Sequence, residues 1–299
     1  MPAALRPRRR CMTASSLDLS SRRELGLLAD LVTAIRRAKP DARFLLVGAM
    51  ARDLLLSFAH GIESRRATED LDFAFAVDDW RAFAELRAAL LGGGFTEVAA
   101  VLHRLNYNGY RVDLIPFGGV ERVDGTIDWP PPHDTRMVVL GFREAMAAAV
   151  AVKLPGEMEV AVASLPALAL LKLFAWADRR YTQPGKDAGD LWLLLCNYLD
   201  AGSRERLYDE ARHLLEAADY DDDLAGAWLL GSDARKLLAP RHGAPSAALV
   251  RASALLAGNG PEGPVQLAAD MDTLDLQHAV DMLGAFRAGL DGAQGAAGS

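Results

Sequence analysis

Residues 44–55 read FLLVGAMARDLL, and residues 69–77 read EDLDFAFAV. The first stretch opens as an unbroken apolar run, the pattern of a strand buried on both faces. It halts at Gly48 and resumes with helical character to Phe58. The second stretch alternates, with Leu71, Phe73, Phe75 and Val77 on one side and Asp70, Asp72, Ala74 and Ala76 on the other. A buried strand, a glycine turn, a helix and a half-buried strand, in that order, predict a layered fold in which helices cover a sheet.

Working outward, Ser21-Arg22-Arg23-Glu24 has the spacing of a capping box and predicts a helix to about Lys39, ended by Pro40. Residues 79–91 read as a helix closed by Gly92-Gly93-Gly94. Strands are predicted over 97–105 and 110–116, joined at Asn108-Gly109 by a hairpin turn. The Gly- and Pro-rich stretch 117–132 reads as loop, with Trp129-Pro130-Pro131-Pro132 as a stiff piece of no evident role. Residues 142–150 read as helix and 157–163 as one more strand. From Leu165 onward the chain is helical, with breaks at Pro184-Gly185, Gly202, 240–245 and 258–264, and a last helix over about 273–290. The order predicts an α/β (α+β) fold with a mixed sheet followed by a helical C-terminal domain. The expected boundaries are a flexible basic arm over 1–19, an α/β domain over 20–160, a helical domain over 161–290 and a tail over 291–299.

Of the 299 residues, 51% are hydrophobic and 24% charged, which is the globular average and excludes large-scale disorder. Cys11 and Cys196 cannot build a disulfide framework or a cysteine-rich zinc site, and they fit a reducing cytoplasm. The net charge of −7 argues against a protein that coats nucleic acid. The charge is uneven, however: residues 1–66 hold 13 Lys and Arg against 6 Asp and Glu, and residues 67–299 hold 20 against 34. A basic N-terminal end can meet a phosphate backbone weakly and in a salt-dependent way. The longest apolar run, 160–177, contains Pro166 and Lys172. A central lysine costs about 2.5–3.5 kcal/mol on insertion into a bilayer, so a buried strand and helix are expected there instead of a membrane span. Residues 1–16 carry arginines without an apolar stretch, so no secretory leader is expected. There is no Walker A sequence, and no His-x-x-x-His pair for a zinc hydrolase.

Asp70 and Asp72 lie two residues apart on a predicted strand, so both face one side of it, and paired carboxylates of that kind suit a hard divalent cation. Other Asp-x-Asp pairs, such as Asp219/Asp221 and Asp270/Asp272, show that the spacing alone means little. Context distinguishes the first pair. It follows a strand–Gly48–helix unit whose turn exposes backbone N–H groups suited to a triphosphate. Asp113 sits in a short apolar strand, where an unpaired acid is costly. Three carboxylates converging beside a glycine turn form a metal-dependent phosphoryl-transfer arrangement, with Asp70, Asp72 and Asp113 as the metal ligands.

These blocks (residues 44–55, 66–73 and 112–114) resemble the nucleotidyltransferase core shared with DNA polymerase β. The Arg66-Ala67-Thr68-Glu69-Asp70-Leu71-Asp72 wording resembles more closely the AbiEii/AbiGii nucleotidyltransferase toxin family. A helix lysine within residues 170–173 and an acidic segment over 186–191 extend the resemblance to about residues 44–195. It implies a toxin of a bacterial toxin–antitoxin or phage-defence system that uses Mg²⁺ (or Mn²⁺) and an NTP. The acceptor it implies is RNA, tRNA in particular, and the partner a cognate antitoxin. It also implies catalytic roles for Asp70, Asp72, Asp113, Lys172 and Asp187, and nucleotide binding by Gly48, Ala49, Arg52, Arg66, Thr68, Lys172 and Asp190. Two departures stand out: Gly48-Ala49 replaces the family's Gly-Gly or Gly-Ser, and Lys186 replaces its arginine, keeping the charge without the bidentate fork.

The residues themselves leave alternatives open. Lys172 is the single charge from Ser164 through Ala177, and it either snorkels from an apolar helix or aims an ammonium at a triphosphate. Asp187 and Asp190, at i and i+3, either pair with Lys172 or are acids favoured by a helix N-terminus. Arg52 and Arg66 are phosphate contacts or surface residues. Two other readings compete with transfer to RNA. One is a small-molecule nucleotidyltransferase of the antibiotic-modifying type, which the acidic balance favours. The other is a nucleotide-binding regulator without turnover.

Overall fold

The computed structural model describes residues 16–63, 70–98, 101–130, 135–239 and 245–293. Among these residues, ten strands and twelve α-helices alternate and then give way to helices. The strands are β1 (Ser16–Asp18), β2 (Arg43–Val47), β3 (Asp70–Val77), β4 (Thr96–Glu97), β5 (Arg104–Tyr107), β6 (Tyr110–Gly118), β7 (Thr126–Asp128), β8 (Arg136–Val138), β9 (Val150–Leu154) and β10 (Met158–Val162). Eight of them form one mixed sheet in the order β1-β9-β10-β2-β3-β6-β5-β4, while β7 and β8 form a separate hairpin. At the centre, β2 runs antiparallel to β3 and β3 runs parallel to β6. The predicted alternation of β3 holds: Leu71, Phe73, Phe75 and Val77 are buried, and Phe73 and Phe75 pack with Phe44 at ring-centroid distances of 5.8 and 5.6 Å. Removing such a ring costs about 3–5 kcal/mol, so this aromatic cluster fixes which face of β3 the acids can occupy.

The helices of this half are α1 (Gly26–Ala38), α2 (Gly48–Asp53), α3 (Trp80–Gly92) and α4 (Phe142–Ala147). The capping box expected at Ser21 does not form. A 3-10 turn over Arg23–Leu25 precedes α1 instead, with no side-chain cap. Asp79 does cap α3, accepting from Ala82 N at 2.7 Å. The turn at Asn108-Gly109 has both residues at positive φ, 50° and 88°, as a two-residue hairpin requires.

Three expectations are corrected. The arm expected to run to Leu19 is strand by Ser16: β1 pairs parallel with β9, and Leu19 is buried. Residues 1–15 lie outside the described residues. The strand β9 was hidden behind the Ala-rich run 147–149, whose helix propensity masks the start of a β-branched segment. The loop expected over 117–132 instead contains β7, and its Trp129 is buried against Trp80, Phe83 and His103.

Beyond β10 the structure is helical: α5 (Leu165–Arg179), α6 (Pro184–Asn197), α7 (Arg204–Glu210), α8 (Arg212–Ala217), α9 (Asp222–Leu237), α10 (Ala247–Ala257), α11 (Pro264–Ala269) and α12 (Leu276–Asp291). Pro184 sits in the first turn of α6, where its missing N–H costs nothing. The closest helix pairing is α9 on α12. A Cβ at Gly231 would overlap the Phe286 carbonyl, and one at Gly289 would overlap that of Trp228, so the two backbones touch. Helix α5 packs against α6, α9 and α10 and also reaches α2, α4 and β8. It thereby joins the helices to the sheet. Among the described residues, no helix is long and apolar enough to cross a membrane.

Candidate active site

The register of the central strands builds a row of side chains across one sheet face. Asp72 on β3 lies beside Asp113 on β6, and Asp113 lies beside Arg104 on β5. In the next row Asp70 lies beside Arg111. Arg104 grips Asp113 with two bonds, Nε to Oδ1 at 2.6 Å and Nη2 to Oδ2 at 2.7 Å, and its Nη2 stands 3.6 Å from Asp70 Oδ2. The bond to Asp113 raises the guanidinium pKa further, so it is permanently charged. Arg111 Nε is 2.5 Å from Asp70 Oδ1 as an ion pair, but no hydrogen-bond donor is aligned on that buried oxygen.

Asp72 differs from its neighbours. No hydrogen bond or ion pair from a described residue reaches its carboxylate. Burial, with Asp113 alongside, pushes its pKa up to about 6 against the pull of Lys172, Lys186 and Arg179. Its side chain packs on Gly48, where a Cβ would overlap the carboxylate. Gly48 also holds φ at +69°, a conformation open to glycine and strained for other residues. Both facts explain why a glycine follows β2: the turn into α2 must bend sharply and leave room for an acid. The turn brings Gly48 and Ala49 to the same cleft as Asp70 and Asp72.

Facing this row, α5 and α6 carry a largely buried charge network. Lys172 is bonded to Asp190 and, at 3.2 Å, to Asp187 Oδ1. Arg179 grips Asp187 through Nε at 2.6 Å and Nη2 at 2.8 Å. Arg52 bonds Asp190 and donates to Asp53 Oδ1 from Nε at 2.8 Å and Nη2 at 2.7 Å. Asp187 is fully buried. Burial pushes its carboxyl up, but Arg179 and Lys172 outweigh that and hold it below the usual carboxylate range. Burial likewise works against the Lys172 charge, and Asp187 and Asp190 overcome it, so the ammonium stays protonated.

The two sides enclose a cleft of about 450 Å³. Its polar end holds the acidic row and the cations, and its other end is lined by Ile115, Met137, Leu140, Phe142, Leu168 and Phe174. Asp70, Asp72, Asp113, Gly48, Ala49, Arg52, Lys172, Asp187 and Asp190 all border it. Arg66 and Thr68 lie outside the described residues. Two alternatives resolve in unexpected ways. Lys172 does not snorkel, because it is buried between two acids. Arg52 is not a surface residue, because its guanidinium is buried and engaged by Asp53 and Asp190. Arg104, Arg111 and Arg179 were not expected at the site. Lys186 borders the cleft and forms no ion pair among the described residues, which makes it the uncommitted cation.

The donor chemistry suits a hard cation at Asp70 and Asp72, whose oxygens include one buried and unaligned and a whole carboxylate without a partner among the described residues. It does not yet suit a three-acid set. Among the described residues, no cluster of three His, Cys, Asp or Glu is disposed to hold a metal, and Asp113 is occupied by Arg104. His103, against Trp129 and bordering the cleft, is held below its usual pKa by burial, so it does not add to the cations.

A family model described as "Nucleotidyl transferase AbiEii toxin, Type IV TA system" matches residues 30–257. No curated protein matches the chain in sequence. Among solved structures, the antibiotic-resistance factor ANT(2'')-Ia, described with substrate-regulated conformation dynamics, is 16% identical over 65% of this chain and 96% of its own, with a TM-score of 0.37. An antigenic nucleotidyltransferase-like protein from Paracoccidioides brasiliensis is 18% identical over 67% of this chain and 93% of its own, with a TM-score of 0.38.

Proposed function

Because the chain belongs to the AbiEii nucleotidyl transferase toxin family, we propose that it moves NMP from an NTP to an acceptor hydroxyl on RNA, tRNA in particular. In this reading it acts in the cytoplasm as the toxin opposed by a cognate antitoxin. The observation that carries the catalytic reading is the Asp72 carboxylate, unpartnered among the described residues and wedged between Gly48 and Asp113 at the polar end of the cleft. Such an acid is an unfavourable component of an apo protein unless something cationic comes to it.

Asp70 and Asp72 are the proposed cation ligands, with Asp113 completing the set. A divalent cation, Mg²⁺ or Mn²⁺, would neutralise phosphate charge there and acidify the acceptor hydroxyl. The chain's own groups do the rest. The N–H groups at Gly48 and Ala49 receive phosphate oxygens. Lys186 and Arg179 face the same space as cations, while Lys172, fixed by Asp187 and Asp190, adds positive potential from behind the wall. The acceptor oxygen forms a bond to the α-phosphorus as the bond to pyrophosphate breaks, and the hydroxyl proton passes to the carboxylate row. Positioning and electrostatics supply most of the rate, as in other phosphoryl transfers. The acidic row comes from the proposed α/β domain over 20–160, and the cationic wall from the helical domain over 161–290.

The test is incubation of the purified protein with labelled NTPs, total RNA and Mg²⁺, with parallel arms containing EDTA and small cationic acceptors such as aminoglycosides. The expected result is label on RNA that vanishes with EDTA. Label confined to the small acceptor would replace the RNA reading, and label on nothing would leave a nucleotide-binding protein without turnover. Transfer that persists after exhaustive chelation would remove the metal from the proposal.

A further inference from the structure

The geometry points to Arg104 as a positioning residue that acts through Asp113: its guanidinium stands in for a divalent cation in the metal-free protein and yields the carboxylate when the cation arrives. This inference rests on the cation site proposed at Asp70 and Asp72. Three carboxylates on adjacent strands cannot sit side by side without countercharge. Arg104 supplies it to Asp113 through two bonds of 2.6 and 2.7 Å and extends Nη2 to 3.6 Å from Asp70. One cation therefore bridges acids from two strands, which is the part a metal ion would take.

The pair is also built to open. The Arg104 side chain is 24% exposed and borders the cleft, so it has water to move into. It lies on β5, which is separated from solvent at the sheet edge by the two-residue strand β4 alone. Two of the pairs on the facing wall are different: Arg52 is 2% exposed against Asp190 at 7%, and Lys172 is 9% exposed against Asp187 at 0%. Those cannot exchange a partner without unpacking helices. A divalent ion brings two charges where one guanidinium leaves. The released guanidinium stays tethered beside the phosphates, where its planar fork suits phosphate oxygens.

The test is a titration of Mn²⁺ into nucleotide-free protein, read as the loss of the free-Mn²⁺ EPR signal, on the wild type, Arg104→Gln, Arg104→Lys and Asp72→Asn, with thermal melts as a check on folding. Arg104→Gln is expected to bind Mn²⁺ at least about tenfold more tightly than the wild type, equivalent to ~1.4 kcal/mol. Arg104→Lys should fall between them, because an ammonium holds one carboxylate oxygen less firmly than a fork holds two. Asp72→Asn should lose the site. Binding that is equal or weaker in Arg104→Gln overturns the exchange while leaving the cation site standing. Absence of Mn²⁺ binding in the wild type and Arg104→Gln alike overturns the exchange and the cation site together.

Discussion

Two walls of one cleft are built from the same materials, aspartates with lysines and arginines, and they behave in opposite ways. On the helical wall the buried charges are matched: Lys172, Arg179 and Arg52 share Asp187, Asp190 and Asp53, and in this cluster only Arg179 opens substantially to the cleft. On the sheet wall, among the described residues, the matching stops one residue short, at Asp72. A complete buried network fixes two helices together, while an incomplete one stores affinity for something not yet bound. The contrast separates residues that hold the cleft together from those we propose to act in it.

The largest effect should come from breaking the complete side. Lys172→Met leaves Asp187 and Asp190 buried with too little countercharge, a change that costs about 3–5 kcal/mol. Urea denaturation should show that loss, and a stability equal to the wild type would mean that the network is not a structural unit. Breaking the incomplete side should do the reverse. Asp72→Asn removes repulsion against Asp113, so stability holds or rises, while nucleotide transfer falls about 10²–10³-fold, the scale of losing one preorganised electrostatic group. Undiminished transfer by this variant would return Asp72 to an ordinary strand acid.

The smallest effect is the most discriminating, because the two walls should respond to pH with opposite signs. Asp72 titrates near 6 in the folded protein against an ordinary 3.8. Between about pH 4 and 6 the native state keeps a proton that the unfolded chain has released, so stability falls as pH rises through that window, by about 3 kcal/mol. Asp187 is shifted the other way. Its contribution is present above its unfolded pKa and is lost as pH falls through its depressed folded value. A pH series of urea melts should therefore show a descent between pH 4 and 6 that disappears in Asp72→Asn, while the acid limb below pH 4 survives. Persistence of that descent in Asp72→Asn would assign it to another group.

Much of the sheet wall is legible in the sequence because it is written in local periodicity. The alternation from Asp70 to Val77 puts both acids on one face, and Gly48 marks the turn that packs against them. The helical wall is legible in residue types but not in partnership. Lys172 meets Asp187 across two helices, and nothing in a spacing of fifteen residues says whether α5 and α6 fold back on each other with those faces together. Arg104 could have been found. A two-residue turn at Asn108-Gly109 sets Tyr107 opposite Tyr110, and counting back three places sets Arg104 opposite Asp113. The chemistry of a lone arginine on a short strand attracts no attention until that count is made. β9 was lost for a different reason: helix propensity in the alanines before it outweighs the five-residue strand signal, which is stabilised by β1 and β10 from outside the segment.

The parallel pairings of the sheet have a consequence for how the protein comes into being. They join Ser16 to Ala151, Leu46 to Val162 and Asp72 to Asp113. Translation adds roughly 5–20 residues per second, so β3 waits seconds for β6, and β1 and β2 wait longer for the strands that flank them. Pairing between such distant segments is intrinsically slow. The acids of the sheet are thus made early, whereas the cationic wall does not exist until α6 has been synthesised. A nascent chain carries the acidic row and the Gly48 turn without the cations proposed to face the triphosphate. On the proposed function, transfer therefore has to wait until α6 has been made and the cleft has closed.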